Sequence, residues 1–410
     1  MVYVLNKDGQ PLMPTNRHGK VKHLLRQGKA TVVKRCPFTI QLTYESTAFK
    51  QPITLGVDAG SKTVGLSATS ESKELYAAEI ELRSDVAELL CTRRENRRSR
   101  RGRKTRYRKA RLANRRGKKK GWVAPSIQQK IDTHLKAVEE VKKILPITNI
   151  IVEVASFDIQ KIKNPDITAK EYQQGEQLGF WNVREYVLFR DGYVCQYCKG
   201  KSKDKVLNVH HIESRKRGGD APNNLVTLCR KCHAEHHDKT INVKIKRGVS
   251  YKDAAFMGIM RWAFYGKLKE RHPNVSLTYG YITKNVRIEN GLVKTHCVDA
   301  RCVSGNPTAV PLQYYFKQKG VRRHNRQIHK ANILKGGKRK ANQAPKHVMG
   351  FRLFDKVEYK GRECFIFGRR SSGYFDLRRL DGEAVHKSAK AADLTLLEMA
   401  GTLLTERVAR

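Results

Sequence analysis

No stretch of this 410-residue chain approaches the ~18 consecutive apolar residues of a membrane-spanning helix, which excludes that class. The opening residues, MVYVLNKDGQ, lack a basic segment followed by an apolar one, so no secretory signal is expected. No segment repeats at the ~20–50-residue period of solenoids and propellers. The largest shortage is of acid: 38 Asp and Glu stand against 83 Lys and Arg, a net charge of +45. Such an excess repels itself and calls for a polyanionic partner. The apolar share of 39% is low against the ~45–50% of globular chains, yet it falls in short dense runs that still build cores. The length predicts two or more domains at ~100–200 residues each. Cysteine is present nine times, an odd number, and four of the nine form two CxxC knuckles. That usage points to metal and to a cytoplasmic chain, with no disulfide framework.

Along the chain, residues 1–50 read as a small α+β unit. A strand at VYVLN, a helix from His18 to Gln27 closed by Gly28, and strands at Ala30–Lys34 and Phe38–Thr43 are expected. Three more short strands, 53–60, 64–70 and 74–82, follow as a meander. Between Arg93 and Lys120, 17 of 28 residues are basic and Glu95 is the only acid. Arg94, Arg97, Arg98, Arg101, Lys104, Arg108 and Arg111 recur at three- and four-residue steps, which on a helix makes one guanidinium stripe. Residues 126–144 carry an amphipathic helical pattern, and 149–155 a buried strand. Residues 251–272 read as helix, 292–304 as a strand running into a helix, and 317–340 as a basic loop region. Short runs after Phe351 alternate with turns as in a small antiparallel barrel.

Cys195-x2-Cys198 and Cys229-x2-Cys232 supply the four thiolates of a tetrahedral structural zinc site. The residues between them hold His210-His211, Gly218-Gly219 and Asn223-Asn224, and His233 follows the second knuckle. Phosphodiester hydrolysis needs a base for water and a cation for the leaving oxygen, and histidine titrates where such a base must. The order resembles the HNH (ββα-metal) nucleases. That resemblance implies His211 as general base, His210 and His233 as ligands of one Mg²⁺, and Asn224 as the residue that orients base and loop. His236 and His237 read as solvated helix residues outside the site.

Asp58 and Glu153 end strands, and His296-x2-Asp299 stands where a helix begins. Acids at strand ends suit paired Mg²⁺ ions in an in-line displacement. The segments GVDAGSKTVGLS, IIVEVASF and THCVDA resemble the three split pieces of the RuvC nuclease, an RNase H-like sheet. The resemblance implies Asp58, Glu153 and Asp299 as ligands of two Mg²⁺ ions and His296 as ligand or base. With Pro11-Leu12-Met13-Pro14 at the start, the whole order resembles the IscB family of transposon-encoded, RNA-guided DNA endonucleases.

This resemblance implies a multidomain α/β chain: a split mixed sheet, an inserted zinc-bound ββα domain, an arginine-rich bridge helix, and small domains at both ends. The expected divisions are a PLMP domain (1–50), RuvC I (51–84), the bridge helix (85–121), RuvC II (122–179), HNH (180–245), RuvC III (246–310), a basic segment (311–344) and a domain reading a target-adjacent motif (345–410). It further implies a prokaryotic monomer bound to a guide ωRNA, with Arg94, Arg97, Arg98, Arg101, Arg108 and Arg111 on RNA phosphates and double-stranded DNA as substrate. A protein-guided HNH nuclease and a nucleic-acid-binding protein with inactive sites are the competing readings.

Overall fold

The computed structural model describes residues 1–47, 49–101, 122–155, 176–243, 245–249, 252–322 and 345–410. The chain divides into two compact units. One is assembled from Met1–Ala87, Ala110–Ala155 and Met257–Arg410, the other from Glu88–Lys109 and Ser156–Phe256.

The first unit opens with β1 (Tyr3–Leu5), α1 (His18–Arg26), β2 (Ala30–Lys34) and β3 (Thr39–Leu42). β3 lies between β1, parallel to it, and β2, antiparallel. Val21 of α1 joins Val2, Leu12, Ala30, Ile40 and Leu42 in one core. Gly28, at φ +69°, turns the chain out of the helix, as a left-handed cap requires.

The meander expected from sequence forms as β4 (Thr54–Asp58), β5 (Thr63–Thr69) and β6 (Glu74–Glu81). β7 (Asn149–Val154) adds parallel to β4, and β10 (Val275–Tyr279) parallel to β7. β11 (Tyr314–Gly320) adds parallel to β6, and β17 (Leu403–Ala409) pairs antiparallel with β11. The sheet therefore runs β10-β7-β4-β5-β6-β11-β17. Its middle strands are buried along nearly their whole length because both faces are covered: Leu55, Val57, Val64, Leu66 and Ala68 are fully buried. Residues 314–320, expected within or beside a loop region, are drawn into the sheet by this pairing.

Two glycines bring a helix onto that sheet. A Cβ on Gly56 would lie 2.0 Å from the Ala300 carbonyl oxygen, and one on Gly65 would lie 2.0 Å from that of His296. No larger residue fits at either position. Residues 292–295 form no strand; the Thr295 hydroxyl accepts from the Val298 N–H at 3.2 Å and starts the helix His296–Val303 directly.

α3 (Pro125–Lys142) buries Ile131, Leu135, Ala137, Val138 and Val141 along one face, as the spacing predicted. It packs beside the long helix Lys252–Arg271, where His134 meets Phe264. Near the C-terminus β12 (Lys356–Tyr359), β13 (Arg362–Arg369), β14 (Tyr374–Arg378), β15 (Ala384–Lys390) and β16 (Leu394–Glu398) form an antiparallel sheet ordered β15-β14-β13-β12-β16. Val357, Cys364, Ile366, Phe375 and Leu377 fill its core.

α2 (Val86–Arg101) is the first half of the arginine-rich segment. Arg94, Arg97 and Arg98 lie within it and Arg101 is its last residue; Arg108 and Arg111 fall outside the described residues. In the second unit, α4 (Val183–Arg190) precedes the hairpin β8 (Leu207–His211) and β9 (Leu225–Cys229), with α5 (Arg215–Gly218) in the connection, and α6 (Arg230–His237) follows. Among the described residues, no helix is long and apolar enough to cross a membrane.

Candidate functional site

Both units gather chemistry-bearing side chains into clusters. In the first, the ends of β4 and β7 set Asp58 and Glu153, both buried, at neighbouring positions of the sheet. The glycine-seated helix brings His296 Nδ1 to 2.7 Å from Asp58 Oδ2. It also carries Asp299 in its first turn. The four residues singled out from sequence thus come together, although 241 positions separate Asp58 from Asp299 by number.

Burial, and then the charge of Asp58, push the Glu153 and Asp299 carboxyls above their ordinary range. The hydrogen bond to Asp58 raises the pKa of His296. Three acids gathered this closely are short of positive charge. Two arginines supply part of it: Arg261 meets Glu153 at 3.1 Å, and Arg287 meets Asp299 at 2.9 Å. Arg261 is itself buried and donates from Nε to the Ala59 carbonyl oxygen at 2.7 Å, which fixes its aim. The donor set is carboxylate oxygen from two strand ends and one helix turn plus one imidazole, and that chemistry fits Mg²⁺. Neither arginine was singled out from sequence, since each lies on a separate helix with no motif to mark it.

In the second unit the hairpin and α6 make the ββα arrangement. Successive residues of β8 face opposite ways, so His210 and His211 separate. His210 joins His233 and His237 of α6; one ring nitrogen from each lies within 4.8 Å of the others. The Nε2 atoms of His233 and His237 are 3.3 Å apart. His237 therefore belongs with the cluster and is not a bystander: positions 233 and 237 are one helical turn apart on one face. His236 also closes on His210, with ring centroids 4.9 Å apart, and its buried Nδ1 has no partner. Burial, then the other histidines, push His210 down to about 4, and burial lowers His233 as well. Neutral imidazoles with free lone pairs are metal ligands, but three of them fit Mg²⁺ poorly and suit borderline ions such as Zn²⁺ or Ni²⁺.

His211, on the other side, places Nε2 at 2.9 Å from Asp220 Oδ1. Asp220 also receives Arg215 at 2.8 Å, and these bonds hold its carboxyl below the usual range. Asp220 follows the Gly218-Gly219 pair, and sequence reading passed over it because an exposed Asp after glycine looks like a turn former. Asn224 is fully buried and does not touch the imidazole. Its Nδ2 donates to the carbonyls of Glu213 and Gly219, both at 2.9 Å, and its Oδ1 accepts from the Glu213 N–H at 2.9 Å. It clamps the loop that leaves His211. Gly218 must be glycine, since a Cβ there would lie 2.1 Å from Asn224 Nδ2.

Cys195, Cys198, Cys229 and Cys232 bring their four sulfurs within 4.8 Å of one another. Cys198 Sγ and Cys229 Sγ are 3.9 Å apart, close to the ~3.8 Å edge of a tetrahedron with Zn–S bonds of ~2.3 Å. The hydrogen bond between Cys198 and Ser202 draws the Cys198 thiol down to about 6, favouring the thiolate that zinc binds. The four sulfurs fit a structural zinc ion, which would tie the segment before β8 to the start of α6.

Two family models match the chain. Residues 195–239 match the family model described as HNH endonuclease, and residues 2–175 match the one described as RRXRR protein. Two solved structures are similar over part of the fold. The crystal structure of Streptococcus thermophilus Cas9 in complex with the AGAA PAM shares 15% identity at a TM-score of 0.34, covering 52% of this chain and 30% of that one. The same protein with the GGAA PAM shares 16% at 0.32, with the same coverage. The chain thus spans about a third of the length of these structures. No curated protein matches it. Residues 195–239 of the second unit are an HNH endonuclease domain. The chain thus carries an RRXRR region followed by an HNH endonuclease domain.

Proposed function

We propose that the chain is an RNA-guided DNA endonuclease with two active sites, and that the HNH domain cuts the guide-paired strand while the sheet site cuts the displaced strand. The observation that carries it is the pairing of two unlike clusters, imidazole-rich on a ββα hairpin and acid-rich on a mixed sheet, in a chain of net charge +45. Two chemically distinct hydrolytic sites suit a substrate with two strands to cut.

At the HNH site His211 is the base. With its Nε2–H donated to Asp220, the lone pair sits on Nδ1, which takes the proton from water while Asp220 steadies the imidazolium that forms. Asn224 keeps that histidine's loop in place. A metal ion held by His210, His233 and His237 would stabilise the leaving oxygen. At the sheet site Asp58 orients His296 by accepting from Nδ1, leaving Nε2 free to take a proton from water. Asp58, Glu153 and Asp299 would hold two Mg²⁺ ions that counter the charge developing on phosphate oxygens.

RNA guidance is supported by the arginines of α2, whose guanidinium groups bind phosphate bidentately and never lose their charge. In such a division base pairing reads sequence while protein grips backbone and a short motif. Residues 345–410 are the proposed motif reader, and 1–50 the PLMP domain. Expression with the neighbouring noncoding DNA, purification in high salt and sequencing of the bound RNA tests this reading. One discrete RNA with a variable end, able to direct cutting of a matched duplex, is expected; heterogeneous cellular RNA that directs none would overturn it.

A further inference from the structure

Away from both clusters, the small domain at the start of the chain carries an open groove along α1. It holds about 440 Å³, within the ~300–1,000 Å³ of small-ligand sites. Val21, Leu25 and Phe38 give it an apolar floor, and the exposed side chains of His18, Lys22 and Arg26 give it a cationic edge. The Tyr3 N–H donates to the Phe38 carbonyl oxygen at 2.9 Å, which ties Phe38 to the end of the sheet.

The sequence of α1 produces this division. His18, Lys22 and Arg26 recur at every fourth residue and form one row, with steps of about 6 Å along the axis at 1.5 Å per residue. Val21 and Leu25 form the row beside it. The helix, HGKVKHLLR, contains no acid, and none of the residues lining the groove is acidic. Among the described residues, none of the three basic side chains meets a carboxylate at ion-pair distance. The first turn also lacks a side-chain cap, so the positive end of the helix adds to the same field.

We infer that this groove seats one unpaired nucleotide of a bound RNA, with its base against Phe38 and Leu25 and its phosphates along Lys22 and Arg26. A purely apolar ligand would leave the cationic row unmatched, and a bare phosphate would leave the apolar floor wet. A nucleotide brings both surfaces at once: a flat base with a π-face for the aromatic ring, and a charge that guanidinium and ammonium groups hold. Duplex DNA keeps its bases stacked inside the helix. A folded RNA splays bases out of loops and bulges, and aromatic side chains take them up there.

This inference rests on the reading of the chain as an RNA-bound protein, and one experiment separates the two. The full chain is stripped of nucleic acid in high salt and offered the RNA that co-purifies with it, made as a pool in which each molecule lacks one base. Bound and unbound fractions are sequenced for the wild type, Phe38→Ala and the double variant Lys22→Ala/Arg26→Ala. The groove predicts one unpaired position whose missing base weakens wild-type binding about tenfold, the scale of one lost base–aromatic stack, and makes no difference to Phe38→Ala. The double variant should flatten the slope of log affinity against log salt by about 1.4, two phosphate contacts at ~0.7 each. Circular dichroism establishes that each variant is folded. The double variant changes exposed side chains only, so its salt slope decides the matter if Phe38→Ala fails to fold. A base profile unchanged in a folded Phe38→Ala, or a salt slope unchanged in the double variant, would overturn the groove and leave RNA guidance standing. Recovery of no discrete RNA from the wild type would overturn both.

Discussion

Asp220 and His211 show how single residues acquire roles that neither has alone. A histidine on a strand is indifferent about which nitrogen holds its proton until a partner decides. Here Asp220, held at the other oxygen by Arg215, makes that choice. Asp220→Asn keeps the shape but removes the charge that steadies the imidazolium. Guide-paired-strand cutting should slow about tenfold to a hundredfold, the usual effect of losing an orienting partner, while displaced-strand cutting stays unchanged; single-turnover kinetics with separately labelled strands would check it. At the acid site the arginines play a different part. Arg261 and Arg287 offset the repulsion among acids, and a buried carboxylate without such a partner would be costly.

Elements carry these residues to one another, and the glycines of the sheet decide how closely. The helix His296–Val303 rests on β4 and β5 with no side chain between, because Gly56 and Gly65 have none. Gly65→Ala inserts a methyl group where a carbonyl oxygen lies, an overpacking that costs ~1–3 kcal/mol. Lower thermal stability and loss of displaced-strand cutting are expected, with guide-paired-strand cutting retained. The zinc knuckles act at the same scale in the other unit. Cys195→Ser should strip zinc from the protein, read by metal analysis, and unfold the HNH hairpin, because the sulfurs bind only as a set. Unchanged zinc content would remove the four-sulfur site from the account.

What could be read in the sequence follows from this difference between motif and packing. Local periodicity marked α1, the meander, α3 and β7, since each is decided by which residues are apolar and where glycine stands. The spaced cysteines and the HH-then-N order marked the HNH site. His237 escaped because an exposed histidine near a helix end looks solvated; only the turn geometry of α6 places it beside His233. Arg261 and Arg287 escaped because long-range folding, and no local pattern, delivers them to the acids. β11 was hidden because its lysines resemble a nucleic-acid loop, yet parallel pairing with β6 buries Phe316 and Gln318.

At the scale of the whole molecule, the excess of basic residues gives a general attraction to nucleic acid, and in the proposed function the two clusters turn that attraction into chemistry on separate strands. The measurement that tests this most directly is strand-resolved cutting of a guide-matched duplex by the wild type, Asp58→Ala and His211→Ala, each with its bound RNA. The wild type should cut both strands, Asp58→Ala the guide-paired strand alone, and His211→Ala the displaced strand alone. Loss of both cuts in either single variant would contradict the division of labour between the two sites.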